Sequence, residues 1–479
     1  MSEPIHYGLP VDFEAQFHSR TILFTKHALR WRRTPSDANI LSKLKRAHIA
    51  VACNKDLLET PNGQHMALMS TNLLSRFCQN IDVSIPGKIQ SKIDIPLPTK
   101  TGFFLHDLLK LLQAINPVGR IRPKLEPRRV YDAAIVIGEE SVKAKRTISI
   151  NSDGWAAYLY PNSKDLAKIS GNQNPLGAQL SACFGTVEAF KAIFSTTSNC
   201  NPLDVSPSKP LTFSLFNYTL NTSLWQNPPL PESVPLGAVH LIGAGAIGSA
   251  LAYSLRSISR VSGALTVIDP EIIETSNLNR YLPAIAKDAF ERKPKVESVK
   301  DLLSESLLQV TVFHNTYQNY VSKRRSLNLD LVVAAVDNDE TRWAIQNNFP
   351  RLILNGATGV SSVSISRHDE FLEKACLGCL YPRGKEQIAP MPCPTISFVS
   401  GISGVLLAAE MIKERVEKFR KFVLNNELYL DCLKLPQTLM IRQTQKSELC
   451  GCRCQDQQTI KSYLSARKSS HTITVRITR

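Results

Sequence analysis

Gly243, Gly245 and Gly248 fall within six residues, directly after the apolar run Ala238 to Ile242 and at the start of an alanine-rich segment with helical spacing. A GxGxxG placed between a strand and a helix leaves few folds open. The first glycine permits the turn, the second lets backbone N–H groups approach phosphate, and the third lets helix and strand pack closely. The helix start adds unpaired donors and the positive end of its dipole, which together hold an anion. Asp269 ends the next strand, "LTVID", about 20 residues on, where an acid can bind ribose hydroxyls. Up to this point NAD and ATP fit equally well.

The chain around this loop alternates apolar strands with amphipathic helices. A helix from Ala246 is followed by "ALTVIDP", a helix near Lys295 to Leu308, "QVTVFHN", "LDLVVAAVDN" and "RLILNGATG". That order predicts a doubly wound α/β domain with a mainly parallel sheet. Upstream, proline crowds into "NPLDVSPSKP" and "QNPPLPESVPLG", which marks 201–237 as a linker. Residues 1–200 before it look different, yet three fragments echo the second half in the same order. "YDAAIVIG" at Tyr131 matches "LDLVVAAV" at Leu329, and "TISINSDG" at Thr147 matches "LILNGATG" at Leu352. In the third pair Pro175, Gly185, Ala189 and Ile193 recur as Pro394, Gly404, Ala408 and Ile412. Shared order predicts an internal duplication whose first copy lacks the glycine loop and has lost its nucleotide site. No chemistry is assigned before about Tyr131.

Cations and amides distinguish ATP from NAD. "DPEIIETSNLNRY" brings Asp269, Glu271, Asn277 and Arg280 within a dozen residues, and "KPKVES" adds Lys295. Hydride transfer has little use for such a set, whereas a triphosphate losing pyrophosphate needs cations on its β and γ groups. With the glycine loop, this run resembles the ThiF/MoeB/ubiquitin-activating superfamily of adenylating enzymes over Gly237 to about Arg342. The resemblance rests on the three glycines, on Asp269, Asn277 and Arg280 in "SNLNR", on Lys295, and on Asp337 in "AAVDNDETR". It implies a doubly wound, ThiF-like (Rossmann-type) adenylation domain over 238–460, preceded by a degenerate, inactive adenylation-like domain, with a basic tail at 461–479. Asp269 would hold ribose, Arg280 and Lys295 the phosphates, and Asp337 a Mg²⁺ bridging phosphate oxygens. Tyr281 departs from the family's Gln, and the spacing leaves Lys293 as an alternative to Lys295.

Cysteines form a second pattern. Cys376 and Cys379 stand in CxxC spacing, and "CGCRC" offers Cys450, Cys452 and Cys454 about 70 residues later. Two such knuckles make a closed, structural Zn²⁺ site. Cys376, Cys379, Cys450 and Cys452 are the expected ligands, with Cys454 in reserve; a redox pair with incidental thiols is the other reading. Cys393 stands apart in "IAPMPCPTISF", before a helix from Gly401 to Lys413. A thiol near a helix start is expected to have a lowered pKa, and in the resembled family some members use a cysteine of this loop to take the activated acyl group. Cys53, Cys78, Cys183, Cys200 and Cys432 read as structural.

Composition excludes rather than identifies. Hydrophobic residues make up 43% and charged residues 20% of the 479 residues, and no apolar run reaches the roughly 20 residues that cross a bilayer. The first residues, "MSEPIHYGLP", lack a signal-peptide pattern, and an odd number of cysteines, 11, fits a reducing compartment, so a cytoplasmic enzyme is expected. The formal charge of +16 is spread along the chain without aromatic interleaving, which argues against nucleic acid and for an acidic nucleotide or partner.

The resemblance implies adenylation of the C-terminal glycine of a ubiquitin-like protein, thioester formation on Cys393, and transfer to a conjugating-enzyme-like partner. Arg280, Lys295 and Asp337 would serve the adenylation step. Two adenylation-like halves in one chain imply an intrachain pseudo-dimer, similar to the activating enzyme of a bacterial ubiquitin-like conjugation operon, with phage defence the implied setting. A sulfur-carrier adenylyltransferase is the alternative. A nicotinamide-dependent oxidoreductase and a catalytically dead scaffold are remote ones.

Overall fold

A computed structural model describes residues 9–161, 171–195, 210–221, 226–324, 329–371, 373–382, 393–435, 438–450, 452 and 458. The first half runs α1 (Phe13–Ala28), α2 (Asp37–Arg46), β1 (His48–Cys53), α3 (Lys55–Leu58), α4 (Pro61–Ser75), β2 (Asn80–Ser84), α5 (Phe104–Ile115), β3 (Arg120–Arg122), β4 (Ala133–Ile137), β5 (Thr147–Asp153), β6 (Ala156–Tyr160), α6 (Leu176–Ser195) and β7 (Leu211–Ser214). The second runs β8 (Val234–Ile242), α7 (Ala246–Arg256), β9 (Val261–Ile268), α8 (Ala286–Phe290), α9 (Lys295–Leu302), β10 (Leu307–Phe313), α10 (Tyr317–Ser322), β11 (Leu331–Ala334), α11 (Asp339–Asn347), β12 (Leu352–Thr358), β13 (Ser362–His368), α12 (Leu377–Leu380), α13 (Ser397–Arg415), β14 (Glu427–Asp431) and β15 (Met440–Arg442).

The duplication is visible in the sheets. One has the order β3-β2-β1-β4-β5-β6-β7 and the other β10-β9-β8-β11-β12-β13-β14-β15. Both are parallel through their first five strands and turn antiparallel at the sixth. Each sequence echo falls on equivalent elements: β4 with β11, β5 with β12, and α6 with α13. The expected linker is structural where described. Within 201–237, β7 joins the first sheet, β8 already begins at Val234, and Phe213, Leu215, Phe216 and Tyr218 are buried.

Helices α4, α6, α7 and α13 form the layer between the halves. Glycine lets α13 touch both sides: a Cβ on Gly401 would stand 2.8 Å from Cys183 Sγ of α6, and one on Gly404 would stand 2.4 Å from the Ala250 carbonyl carbon of α7. Aromatic rings of α1, α6 and α13 close the layer, with Phe190 5.4 Å from Phe24 and 5.5 Å from Phe398 between centroids. One apolar cluster consequently runs through both halves. Arg76, at the C-cap of α4 and fully buried, donates to the carbonyls of Leu278 (2.6 Å), Leu282 (2.5 Å) and Ala284 (3.2 Å). Asn72 of α4 donates to Leu282 O as well (3.2 Å). The first half thereby fixes the loop that carries Arg280 and Tyr281 in the second.

The two halves differ at the connection after their first parallel strand. Gly63 occupies the same third position of α4 that Gly248 holds in α7. An added Cβ would meet Leu57 O at 1.9 Å in one and Gly243 O at 2.0 Å in the other. The close-packing glycine persists, but the connection before it spans 54–60 instead of 243–245. The extra residues form α3, whose Leu57 packs against Gly138 at the end of β4, with Cδ1 2.7 Å from a Cβ placed there. An apolar side chain fills the crevice at the topological switch point where open α/β sheets bind ligands.

Candidate nucleotide site and cysteine cluster

At the same place in the second half the crevice is lined by polar groups. Gly243 has φ +93°, a conformation that side chains disfavour, and a Cβ there would lie 2.5 Å from Ala335 O. β8 and β11 thus run side by side, Ile242 opposite Ala334, and deliver the glycine loop next to the turn holding Asp337. Asp337 is exposed at the exit of β11. Its turn is braced by Arg342, which donates to Val336 O (2.5 Å) and Asp339 (2.9 Å) and lies over the Tyr381 ring at 4.3 Å.

Asp269, at the exit of β9, is 6% exposed and accepts from the N–H groups of Ala244 (2.7 Å) and Glu271 (2.8 Å). The carboxylate therefore holds the glycine loop in shape. Burial raises its pKa, and Lys295 with those two N–H groups offsets part of the rise. Lys295 is 5% exposed and pairs with the Glu271 carboxylate, while its Nζ lies 4.8 Å from the centre of the Tyr281 ring. Burial pulls the Lys295 pKa down, but Tyr281, Asp269 and Glu271 outweigh it, and the value stands above that of an ordinary lysine. Lys293 is turned away, bound to Asp288 (3.2 Å) and Asp301 (2.6 Å). Of the two candidate lysines, Lys295 shares the site with Asp269.

Arg280 follows a single 3-10 turn, Thr275–Asn277, and donates to Ser276 O (2.7 Å) and Asn279 Oδ1 (2.9 Å). Burial lowers its pKa, and the charge of Arg20 on α1 lowers it further. Arg20 belongs to the first half, so both halves supply positive charge here; no sequence signal singled it out. Asn277, buried, spends its side chain on capping the turn, accepting from Glu274 N at 3.0 Å. Asn279 donates to Thr395 O (3.3 Å) and so ties this run to the residues between Cys393 and α13.

Cys393 is exposed. α13 starts at Ser397, before the expected Gly401 and so nearer to Cys393, and partial desolvation raises the thiol pKa where a lowering was expected. Cys53, Cys78, Cys183 and Cys432 are buried, with pKa values pushed up by burial, as structural thiols should be. Cys200 and Cys454 lie outside the described residues.

The knuckles do converge. Cys376 Sγ lies 3.8 Å from Cys379 Sγ and 3.5 Å from Cys450 Sγ. Tetrahedral sulfur ligands at about 2.3 Å from zinc stand about 3.8 Å apart, so this triad fits the ion. Cys452 packs on the first knuckle, its Sγ 2.3 Å from where a Cβ on Gly378 would sit, and among the described residues Cys376, Cys379 and Cys450 gather into one ligand group. Among the described residues, no helix is long and apolar enough to cross a membrane.

Comparison with known proteins agrees with this geometry. Residues 236–452 match the model of the ThiF family, and residues 48–205 match that of the BilD N-terminal domain. The chain is 30% identical to an uncharacterized protein of Sinorhizobium fredii over 72% of its own length and 62% of the relative's. It is 30% identical to the adenylyltransferase and sulfurtransferase MOCS3-1 of Zea mays, over 37% of this chain and 38% of that one. It is 29% identical to ubiquitin-like modifier-activating enzyme 5 of Culex quinquefasciatus, over 32% and 41% respectively. In each case the chain spans less than two thirds of the relative.

Proposed function

The second half of the chain belongs to the ThiF family within the ThiF/MoeB/ubiquitin-activating superfamily, and from that premise we propose that it uses ATP to adenylate the C-terminal glycine of a ubiquitin-like protein. One observation carries the reading: the glycine loop, Asp269 and Lys295 gather at the carboxyl ends of β8 and β9, with Arg280 and Lys295 both beside the Tyr281 ring and Asp337 at the exit of neighbouring β11, where the first half has an apolar plug.

ATP would lie with its phosphates over the glycine loop, its ribose at Asp269, and its β and γ groups toward Lys295 and Arg280. The substrate carboxylate attacks the α-phosphorus, the bond to the bridging oxygen breaks, and pyrophosphate leaves as the acyl-adenylate forms. Fixed cations lower this barrier because they need no reorganisation when charge moves onto the leaving group. The exposed Asp337 carboxylate suits Mg²⁺, which takes one or two carboxylates together with phosphate oxygens and neutralises their charge. The relatives named as an activating enzyme and as an adenylyltransferase support the reaction class. The substrate and a conjugating-enzyme-like acceptor belong to the proposal, as does a cytoplasmic, antiviral setting.

Cys393 would then attack the adenylate carbonyl, forming a thioester and releasing AMP. It enters as a thiol, so a proton has to leave as the C–S bond forms. Adenylation of a sulfur-carrier protein with no enzyme thioester is the second reading, favoured by the relative named as an adenylyltransferase and sulfurtransferase. A non-reducing gel of the chain with ATP, Mg²⁺ and the small proteins encoded beside it separates the two. A thiol-sensitive adduct, absent in Cys393→Ser while AMP is still made, supports thioester transfer; AMP without an adduct supports the second reading. Asp337→Ala should reduce AMP formation by at least about a hundredfold, and retained activity would remove Asp337 from the metal role.

A further inference from the structure

Tyr281 stands where the sequence reading found a departure from the resembled family, and it lies inside the nucleotide site. It is 4% exposed and belongs to the apolar cluster that also contains Phe13 and Phe17 of α1. Both candidate phosphate cations lie beside that ring, Lys295 Nζ 4.8 Å and Arg280 Cζ 5.5 Å from its centre. At the other end the hydroxyl oxygen is 3.3 Å from the position of a Cβ on Gly245. Gly245 is the glycine whose missing side chain lets phosphate approach the backbone. The phenol is therefore presented at the spot the phosphate would reach.

The chemistry around the hydroxyl completes the case. Both cations beside the ring carry donors and no acceptor, so neither can take the phenolic proton. A buried tyrosine hydroxyl ordinarily has a partner, and a phosphate oxygen at Gly245 would supply the acceptor.

The geometry points to Tyr281 as a ligand-binding residue whose hydroxyl donates to an α-phosphate oxygen of the bound nucleotide, alongside the backbone of the glycine loop. This rests on the nucleotide reading above and adds a donor that the glycine, Asp, Arg and Lys pattern does not contain. It also gives the first half a hand in nucleotide binding, because the apolar cluster that holds Tyr281 includes Phe13 and Phe17 of α1.

The test is titration of the full chain with ATP and, separately, AMP, for wild type, Tyr281→Phe and Tyr281→Gln. Tyr281→Phe keeps the ring among its apolar neighbours, so its melting temperature should match wild type. Hydrogen bonds to charged groups justify an expected rise of about tenfold or more in Kd for both nucleotides. Tyr281→Gln, whose amide is also a donor, should recover part of the AMP affinity. Unchanged affinity in Tyr281→Phe overturns the assignment, and so does a loss confined to ATP, which would place the contact on the β or γ group. If wild type binds neither nucleotide, the nucleotide reading itself falls.

Discussion

Replacing Arg76 by Met should damage the proposed nucleotide site, which Arg76 does not touch. Its guanidinium is fully buried at the C-cap of α4 and is hydrogen-bonded to Leu278 O, Leu282 O, Ala284 O and Asn72 Oδ1. Methionine keeps much of the volume but none of the donors. A buried ion pair replaced as a unit can be energetically neutral, but here the partners are main-chain carbonyls that no substitution removes. Leu282 O keeps a second donor in Asn72; Leu278 O and Ala284 O are left relying on whatever else reaches them. Orphaned carbonyls cost about 1–3 kcal/mol each, so the loss is about 3 kcal/mol, roughly a hundredfold in the unfolding constant. The freed loop, 278–284, carries Arg280 and Tyr281. Urea unfolding read by fluorescence should therefore shift to lower denaturant, and the KM for ATP in pyrophosphate exchange should rise at temperatures where the variant is still folded. An unchanged midpoint with an unchanged KM would refute the claim that the first half braces the site.

Two further outcomes are expected. Cys450→Ser should lose stoichiometric zinc by elemental analysis and melt several degrees lower, since metal binding adds directly to folding free energy; full zinc retention would exclude Cys450 as a ligand. His18, His65, His240 and His368 are buried and their pKa values are lowered to about 4 by burial. Between pH 6.5 and 4 the unfolded chain therefore binds protons that the folded chain does not, so stability falls on acidification at up to about 1.4 kcal/mol per pH unit for each group. Denaturation at pH 7 and pH 5.5 checks this, and equal stability at both would count against neutral buried histidines.

What the sequence made legible depended on whether the signal was local. Gly243, Gly245, Gly248 and Asp269 are fixed by geometry within one βαβ unit, so their spacing alone announced them. The choice of Lys295 over Lys293 was not local: it turns on Asp288 and Asp301 holding one lysine and on Asp269, Glu271 and Tyr281 surrounding the other. Cys393 shows the opposite failure: α13 starts at Ser397, nearer than the expected Gly401, yet partial desolvation raises the thiol, and burial of that kind leaves no local mark in the sequence. The proline-rich stretch misled in the same way, since proline marks chain direction and not exposure. Tyr218 in that stretch donates to the buried Glu410 of α13 at 2.6 Å.

The duplication explains why these long-range contacts exist. Two copies of one architecture meet through equivalent helices, and each sends a polar contact across: Arg76 of the first half to the loop after β9, and Arg256 of α7 to Asp94 in the loop after β2. Only one crevice needs to stay open for chemistry, so the other can trade it for rigidity. The first half has done so with α3, whose Leu57 closes the crevice against Gly138. With 54–60 in place of a three-residue turn that half has no open phosphate cradle, while Gly63 still packs against Leu57 O as Gly248 does against Gly243 O. A closed crevice on a tightly packed α4, which holds out Asn72 and Arg76, is what a brace for the second half requires, and it would make the first half a working part of the proposed nucleotide site without a ligand of its own.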